Sequence, residues 1–461
     1  MAPQPSHILL KGGVLLVHSD DGKVVPQRSD LLIEGNRVSQ IGDNIDTSGQ
    51  DVQLIDCQGK IVSPGFISTH RHVWQTALKG PFYTAEDAFW GELGGALEAI
   101  DGGTTTVVDH SSLNMGPDFP PTMIQALVAS GLGAVYCYCV PRSVPSWKPL
   151  ATQDDYSSPR ALEGWKALAA KAPFGDGRIQ LGFVVDSIYQ SPEQMKSLYG
   201  ELRAAGAKVI TTHGAGGLAF NNPPSALQIL NSHGLLGPDV LISHANFPHE
   251  NDAEILAKHN AWISATPNTE LQMGWPPLGL RPECVSDCNT PGSNARRSSV
   301  DRAGGVGIPA HPPSRCSTSP PSEVLAPSAW PGEVGQIKVG ALADLVVFDA
   351  SSPAMLPAGE EDPLAAVVFH SSERDVETVI VGGIVRKENF RLLPVTVEGG
   401  VEGAKDIGLD GKQIGWSEVA RNLLESRKRL NAKAEGIDFK AAEDSIIDAF
   451  RMNRKDMLGQ Q

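Results

Sequence analysis

Between residues 65 and 265 the sequence repeats one alternation: a short apolar run, then a longer stretch with helical spacing of apolar residues. The runs fall at 65–69, 104–109, 133–140, 179–186, 208–212, 240–243 and 262–265. Runs of this length, little interrupted by charge, read as strands buried on both faces, the condition of a parallel sheet covered by helices. The stretches between them include AEDAFWGELGGALEAIDGG, PTMIQALVASG, SPEQMKSLYGELRAAG and ENDAEILAKHN, all rich in helix formers. Strand and helix alternating in this way leave few architectures, and the one that closes on itself is the (β/α)8 barrel. The expected fold is therefore α/β, a (β/α)8 TIM-type barrel, with an eighth strand in doubt.

A chain of 461 residues exceeds the roughly 250 that such a barrel needs, so an accessory domain is expected. The first 62 residues read as short strands with turn punctuation at Gly12-Gly13 and at Glu34-Gly35-Asn36. A second β-rich piece, from GQIKVGALADLVVFDA to RDVETVIVGGIVRKENFRLLP, covers 335–395. These two pieces are expected to form one small β-sandwich domain around a barrel at 63–334, with a helical tail over 396–461. Within the barrel, residues 280–328 are rich in Pro, Ser, Arg and Gly and lack either periodicity, so this stretch reads as irregular.

The net charge of −15 argues against a nucleic-acid partner, because a phosphate backbone requires a basic face. No window approaches the roughly 18 apolar residues of a spanning helix, and no signal peptide is legible, so no membrane role and a cytoplasmic location are expected. Six cysteines fit a reducing compartment. The pairs Cys137/Cys139 and Cys284/Cys288 are spaced poorly for a four-thiolate zinc site. Arg296-Arg297 reads as a solvated patch.

Chemistry concentrates at the ends of the apolar runs. His70 and His72 follow GFIST, and alternate residues of a strand point the same way, so both imidazoles can reach one ion. His213 follows KVITT and His244 follows DVLIS. Active sites of this barrel sit at the C-terminal ends of the strands, where all four histidines stand. A shared metal site is the expectation. Asp109 and His110 end the second run, and Trp74 and Gln75 follow the first histidine pair. His110, Trp74 and Gln75 are candidates for substrate contact.

The segments IVSPGFISTHRHVWQTALKG, ALEAIDGGTTTVVDHS, LISHANFPHENDAEILAKHNAWISATPNTELQMGWP and VGALADLVVFDASSP together resemble the amidohydrolase superfamily. The nearest branch is that of cytosine- and guanine-type deaminases and triazine chlorohydrolases. The resemblance spans about residues 9–391, apart from the irregular stretch. It implies one divalent ion, zinc first and iron second, held by His70, His72, His213 and an Asp after strand eight. It also implies that His244 hydrogen-bonds the nucleophilic water or the substrate. The implied partner is a small-molecule substrate, and the branch suggests a homodimer.

Two departures stand out. Many ring deaminases of the branch carry Glu three residues after the strand-five histidine, where this chain has Gly216. The strand-eight segment reads GLRPECVSDCNTPGS, in which Glu283 or Asp287 takes the place of the missing carboxylate without a convincing strand before it. The pattern resembles a deletion with a shifted reading frame. The expected activity is metal-dependent hydrolysis of a non-peptide C–N bond in a nitrogen heterocycle or cyclic amide. The alternative is a catalytically impaired remnant that keeps the fold; a zinc-stabilised structural protein is a third reading.

Overall fold

A computed structural model describes residues 7–77, 82–139, 143–147, 150–153, 159–214, 224–246, 249, 251–272, 306–308 and 329–435, apart from positions 21, 331 and 399, with a few positions between 440 and 447. In chain order the strands are β1 (His7–His18), β2 (Val24–Glu34), β3 (Arg37–Gly42), β4 (Val52–Asp56), β5 (Lys60–Pro64), β6 (Phe66–Arg71), β7 (Thr104–Ser111), β8 (Gly133–Tyr138), β9 (Ser143–Trp147), β10 (Leu150–Gln153), β11 (Ile179–Val184), β12 (Ile210–His213), β13 (Val240–Ser243) and β14 (Trp262–Ala265). They are followed by β15 (Val306–Ile308), β16 (Leu345–Asp349), β17 (Val376–Val381), β18 (Ile384–Glu388) and β19 (Arg391–Leu392).

β6, β7, β8, β11, β12, β13 and β14 pair in that order as parallel neighbours, with register shifts only between β6 and β7. These are the seven apolar runs, and β7 is buried at every position, as a strand covered on both faces must be. The connections carry α1 (Ala85–Asp101), α2 (Phe119–Ser130), α3 (Pro159–Ala169), α4 (Pro192–Ala204), α5 (Ala226–Ser232), α6 (Asp252–His259) and α7 (Pro267–Gln272). Local chemistry sets several of their starts: Thr84 with Asp87, and Ser191 with Gln194, form reciprocal capping boxes on α1 and α4. A separate β9–β10 hairpin, which the sequence did not announce, lies between β8 and α3.

The eighth strand, in doubt from the sequence, is not a parallel one in the described residues. Its place is taken by β15, which runs antiparallel to β14 with Ile308 opposite Ile263 and Val306 opposite Ala265. Across that place the flanking strands touch directly, the Thr69 and Ser264 hydroxyls lying 2.7 Å apart. The remainder of 280–328, including Glu283 and Asp287, lies outside the described residues.

Both ends of the chain enter one sheet of order β19-β18-β17-β16-β5-β1-β2-β3, with β4 beside β1. β5 meets β16 antiparallel, Val62 opposite Val347, so strands nearly 300 residues apart share a hydrogen-bond ladder. Gly35, at φ +58, turns β2 into β3 as its sequence context indicated. Gly12-Gly13 is instead internal to β1: Gly12, at φ +75, sits where pairing with β2 shifts between Leu10 and Gly13. A glycine's access to positive φ serves a bulge as readily as a hairpin turn, and sequence does not separate the two. A C-terminal helix, α8 (Trp416–Ala434), lies on α1, with Leu423 over Gly94 and an Arg429–Asp87 ion pair of 2.6 Å.

Packing between α3 and the barrel wall offers a direct test of the core. Trp165 is fully buried, edge-on to Phe183 at 5.7 Å, and its indole N–H donates to the Gly182 carbonyl at 3.0 Å. Trp165→Ala should lower unfolding free energy by about 3–5 kcal/mol, because a cavity opens and a buried carbonyl loses its donor. Urea denaturation reads this as a lower midpoint at unchanged slope.

Candidate metal centre and active site

The C-terminal ends of the barrel strands converge on a cluster of imidazoles. His70 is the penultimate residue of β6, and His72 follows the strand at the head of a 3-10 turn, Val73–Thr76. Strand alternation turns Arg71 outward to Glu98 at 3.1 Å while both histidines face inward. His110 is the penultimate residue of β7 and has no exposure, Asp186 lies just past β11, His213 ends β12 and His244 follows β13 directly. Ring centroids lie 5.1 Å apart for His70 and His72, 5.0 Å for His70 and His213, 4.0 Å for His110 and His213, and 5.5 Å for His213 and His244.

Hydrogen bonds decide which ring nitrogens are available. His72 Nδ1 donates to the His110 carbonyl at 2.7 Å, and His213 Nδ1 donates to Asp186 Oδ2 at 3.1 Å. Each therefore presents its Nε2 lone pair inward, and these two nitrogens are 3.3 Å apart. Two bare lone pairs repel at that distance, so the arrangement calls for a proton or a cation between them. Nitrogens bound at about 2.0–2.1 Å to one tetrahedral ion would themselves be about 3.3 Å apart. His70 Nδ1 is engaged by Ser243 Oγ at 2.8 Å, which turns its Nε2 to the same centre. His70, His110 and His213 bring ring nitrogens within 4.8 Å of one another, and His110 forms a second such grouping with Cys139 and Asp186.

The charge states fit a cation. Burial first, then the neighbouring imidazoles, holds His70 and His72 well below the usual histidine value, so both rings are neutral. Burial and His213 bring His110 down to about 4. Burial alone would raise Asp186, but His213 and His110 hold it well below the carboxylate range. Burial would likewise lower His213, and the Asp186 carboxylate outweighs it. This carboxylate–imidazole pair is the arrangement that fixes the tautomer and orientation of a metal-binding histidine.

A second relay backs His244. Its Nδ1 lies 2.5 Å from Thr266 Oγ1, and the buried Glu270 carboxylate accepts from the Thr266 backbone N–H at 2.9 Å and from its hydroxyl at 3.4 Å. His244 also takes φ +72, a left-handed backbone unusual for a residue other than glycine. Burial lowers its pKa against the pull of Glu270, leaving a neutral imidazole held in a strained, defined position.

The sequence-derived candidates divide accordingly. His70, His72, His213 and His244 come together, and His110, expected at the substrate, stands among the ring nitrogens themselves. Trp74, expected as an aromatic wall, is in the core, edge-on to Tyr83 at 5.3 Å; its turn packs flat on α1 over Gly91 and Gly95. Gln75 is half-buried beside it. Asp109 turns away from the cluster: it accepts from Val73 N–H at 3.1 Å, and burial raises it to about 7 against the downward pull of that bond and of Glu92. Gly216, Glu283 and Asp287 lie outside the described residues. The sequence reading missed Asp186, Thr266 and Glu270. Asp186 had the signal of the histidines, closing an apolar run; the other two had none.

The amidohydrolase family is matched over residues 61–298. A 5'-deoxyadenosine deaminase of Methanobrevibacter smithii is 25% identical over 438 residues, 85% of this chain and 95% of that protein. A 5-methylthioadenosine/S-adenosylhomocysteine deaminase of Thermococcus sibiricus is 25% identical over 427 residues, 82% of this chain and 93% of its own length. Among solved structures, an adenosine deaminase from Xanthomonas campestris with bound zinc superposes at TM-score 0.67 with 15% identity, covering 93% of this chain and all of that one. Atrazine chlorohydrolase of Arthrobacter aurescens, solved with zinc, gives 0.63 at 18% identity over 91% of this chain and all of its own.

Proposed function

The chain belongs to the amidohydrolase family, and from that premise we propose that it hydrolyses the exocyclic C–N bond of an aminated nitrogen heterocycle, a 6-aminopurine nucleoside first among them. The observation that carries this is the pair of inward Nε2 atoms of His72 and His213, 3.3 Å apart with both Nδ1 atoms already committed. In this reading His70, His72 and His213 hold one divalent ion, zinc as in the solved neighbours. A divalent ion bound there supplies the Lewis acidity that makes water nucleophilic near neutral pH. Asp186 keeps the His213 ring in place through Nδ1. His244 Nε2 takes the proton released as water adds to the ring carbon and returns it to the amino group, which leaves as ammonia. Thr266 and Glu270 hold the Nδ1 proton of His244 throughout. With glycine at 216, proton handling falls to this relay, and Glu283 and Asp287 are the proposed sources of the remaining carboxylate.

The test is ammonia release by metal-loaded protein from adenosine, 5'-deoxyadenosine, 5'-methylthioadenosine, S-adenosylhomocysteine and aminated triazines. Turnover of at least one, abolished by chelation, is expected. A protein that holds its ion and releases ammonia from none of them would overturn the proposal in favour of an impaired family member. One observation favours that second reading: β15 runs against the other strands, so the eighth position does not end at the histidines as its neighbours do.

A further inference from the structure

The other end of the barrel carries a cavity of about 750 Å³ that the chemistry above does not use. Its walls come from the end of α2, the approach to β11, the β17–β18 turn and the segment after β19. Gly131 and Arg178 both precede the strands they lead into, so the cavity lies at the N-terminal ends of β8 and β11, opposite the histidines.

Two guanidinium groups face this space. Arg178 contacts Asp344 Oδ2 through both terminal nitrogens at 3.3 Å and reaches the Thr105 carbonyl at 3.4 Å, but its Nε is buried without a partner. Arg386 lies so close over Gly131 that a Cβ there would meet a guanidinium nitrogen at 2.1 Å, and its Nε is also buried without a partner. The carboxylates on the lining, Asp176 and Glu398, are exposed. Asp344 is already spent on Arg178 and on the Gly382 N–H. Burial, then the repulsion of Arg178, brings Arg386 down to about 10, with Glu398 offsetting only part. A half-buried arginine beside a like charge is a costly arrangement, and an anion in the cavity relieves that repulsion, although the two Nε atoms are themselves closed off from the cavity.

We propose that this cavity binds the phosphate dianion of a small organic phosphate, with Arg386 as the main contact and Arg178 as the second. A planar guanidinium suits bidentate contact with phosphate oxygens, and the volume is that of a site for an organic ligand. The site is independent of the reaction proposed above.

The experiment is thermal unfolding and calorimetric titration with inorganic phosphate and with glycerol 3-phosphate, at ionic strength held constant with chloride. The native chain should show saturable stabilisation by both, tighter for the ester. Arg386→Met should bind about tenfold more weakly or worse, the loss of one charge-assisted contact, while Arg386→Lys keeps part of the affinity. In phosphate-free buffer Arg386→Met should be at least as stable as the native chain, because it removes a buried repulsion. His213→Ala should respond to phosphate as the native chain does, which separates this site from the histidine cluster. No saturable effect on the native chain, or equal binding by Arg386→Met, overturns the proposal. So does destabilisation by that variant without phosphate, which would make Arg386 a structural residue.

Discussion

Replacing His213 with alanine should give a folded protein that no longer retains a stoichiometric divalent ion and whose turnover falls by more than about 10⁴. The magnitude follows from what is lost together: acid–base assistance alone contributes about 10² to 10⁴, and the Lewis acid goes with its ligand. His213 is the hub of the cluster, within 3.3 Å of His72 Nε2 on one side and 3.1 Å of Asp186 on the other. Asp186→Asn provides the graded companion. It leaves every imidazole in place and removes only the charge behind His213, for which metal affinity should fall about 10- to 100-fold. Metal analysis after dialysis, beside turnover, separates the two variants. Full metal content in His213→Ala would mean that the ion is held elsewhere.

His244→Asn should lower kcat by about 10² to 10⁴ while leaving metal content unchanged, the range expected for loss of one acid–base group. Asparagine is the informative substitution because it tolerates the left-handed backbone that His244 holds at φ +72. Alanine at that position would confound chemistry with strain. If the relay works as described, Glu270→Gln should show a smaller loss of kcat in the same direction, with KM little changed, since its carboxylate acts only through Thr266 and His244. A His244→Asn protein with native kcat would place proton transfer on another group, with His110 the next to examine.

Most of the barrel was legible because burial on both faces leaves a parallel strand no choice but a compact apolar run. All seven such runs became parallel strands, and three of them end in or beside the four histidines that the sequence singled out for a shared site. The family resemblance led to the same residues by a separate route. Trp74 is buried beside Tyr83, and an aromatic residue near a ligand pair looks the same in sequence whether it faces the pocket or the helix behind it. Here the close approach of Gly91 and Gly95 draws its turn onto α1. Gly12-Gly13 was misread for a related reason, positive φ being common to turns and bulges.

The sequence by itself determined the strand positions and the histidines at their ends, because both depend on local periodicity and on residue chemistry, while the metal-hydrolase character followed from the family resemblance. Only the tertiary structure decided that His110 joins the cluster, that Asp186 orients two imidazoles, and that Thr266 and Glu270 stand behind His244. It also decided the direction of β15. Ring tautomers are set by hydrogen-bond partners as far as 173 residues away, as for His70 and Ser243, and strand direction by where a connection ends in space. Neither quantity is carried by neighbouring residues along the chain.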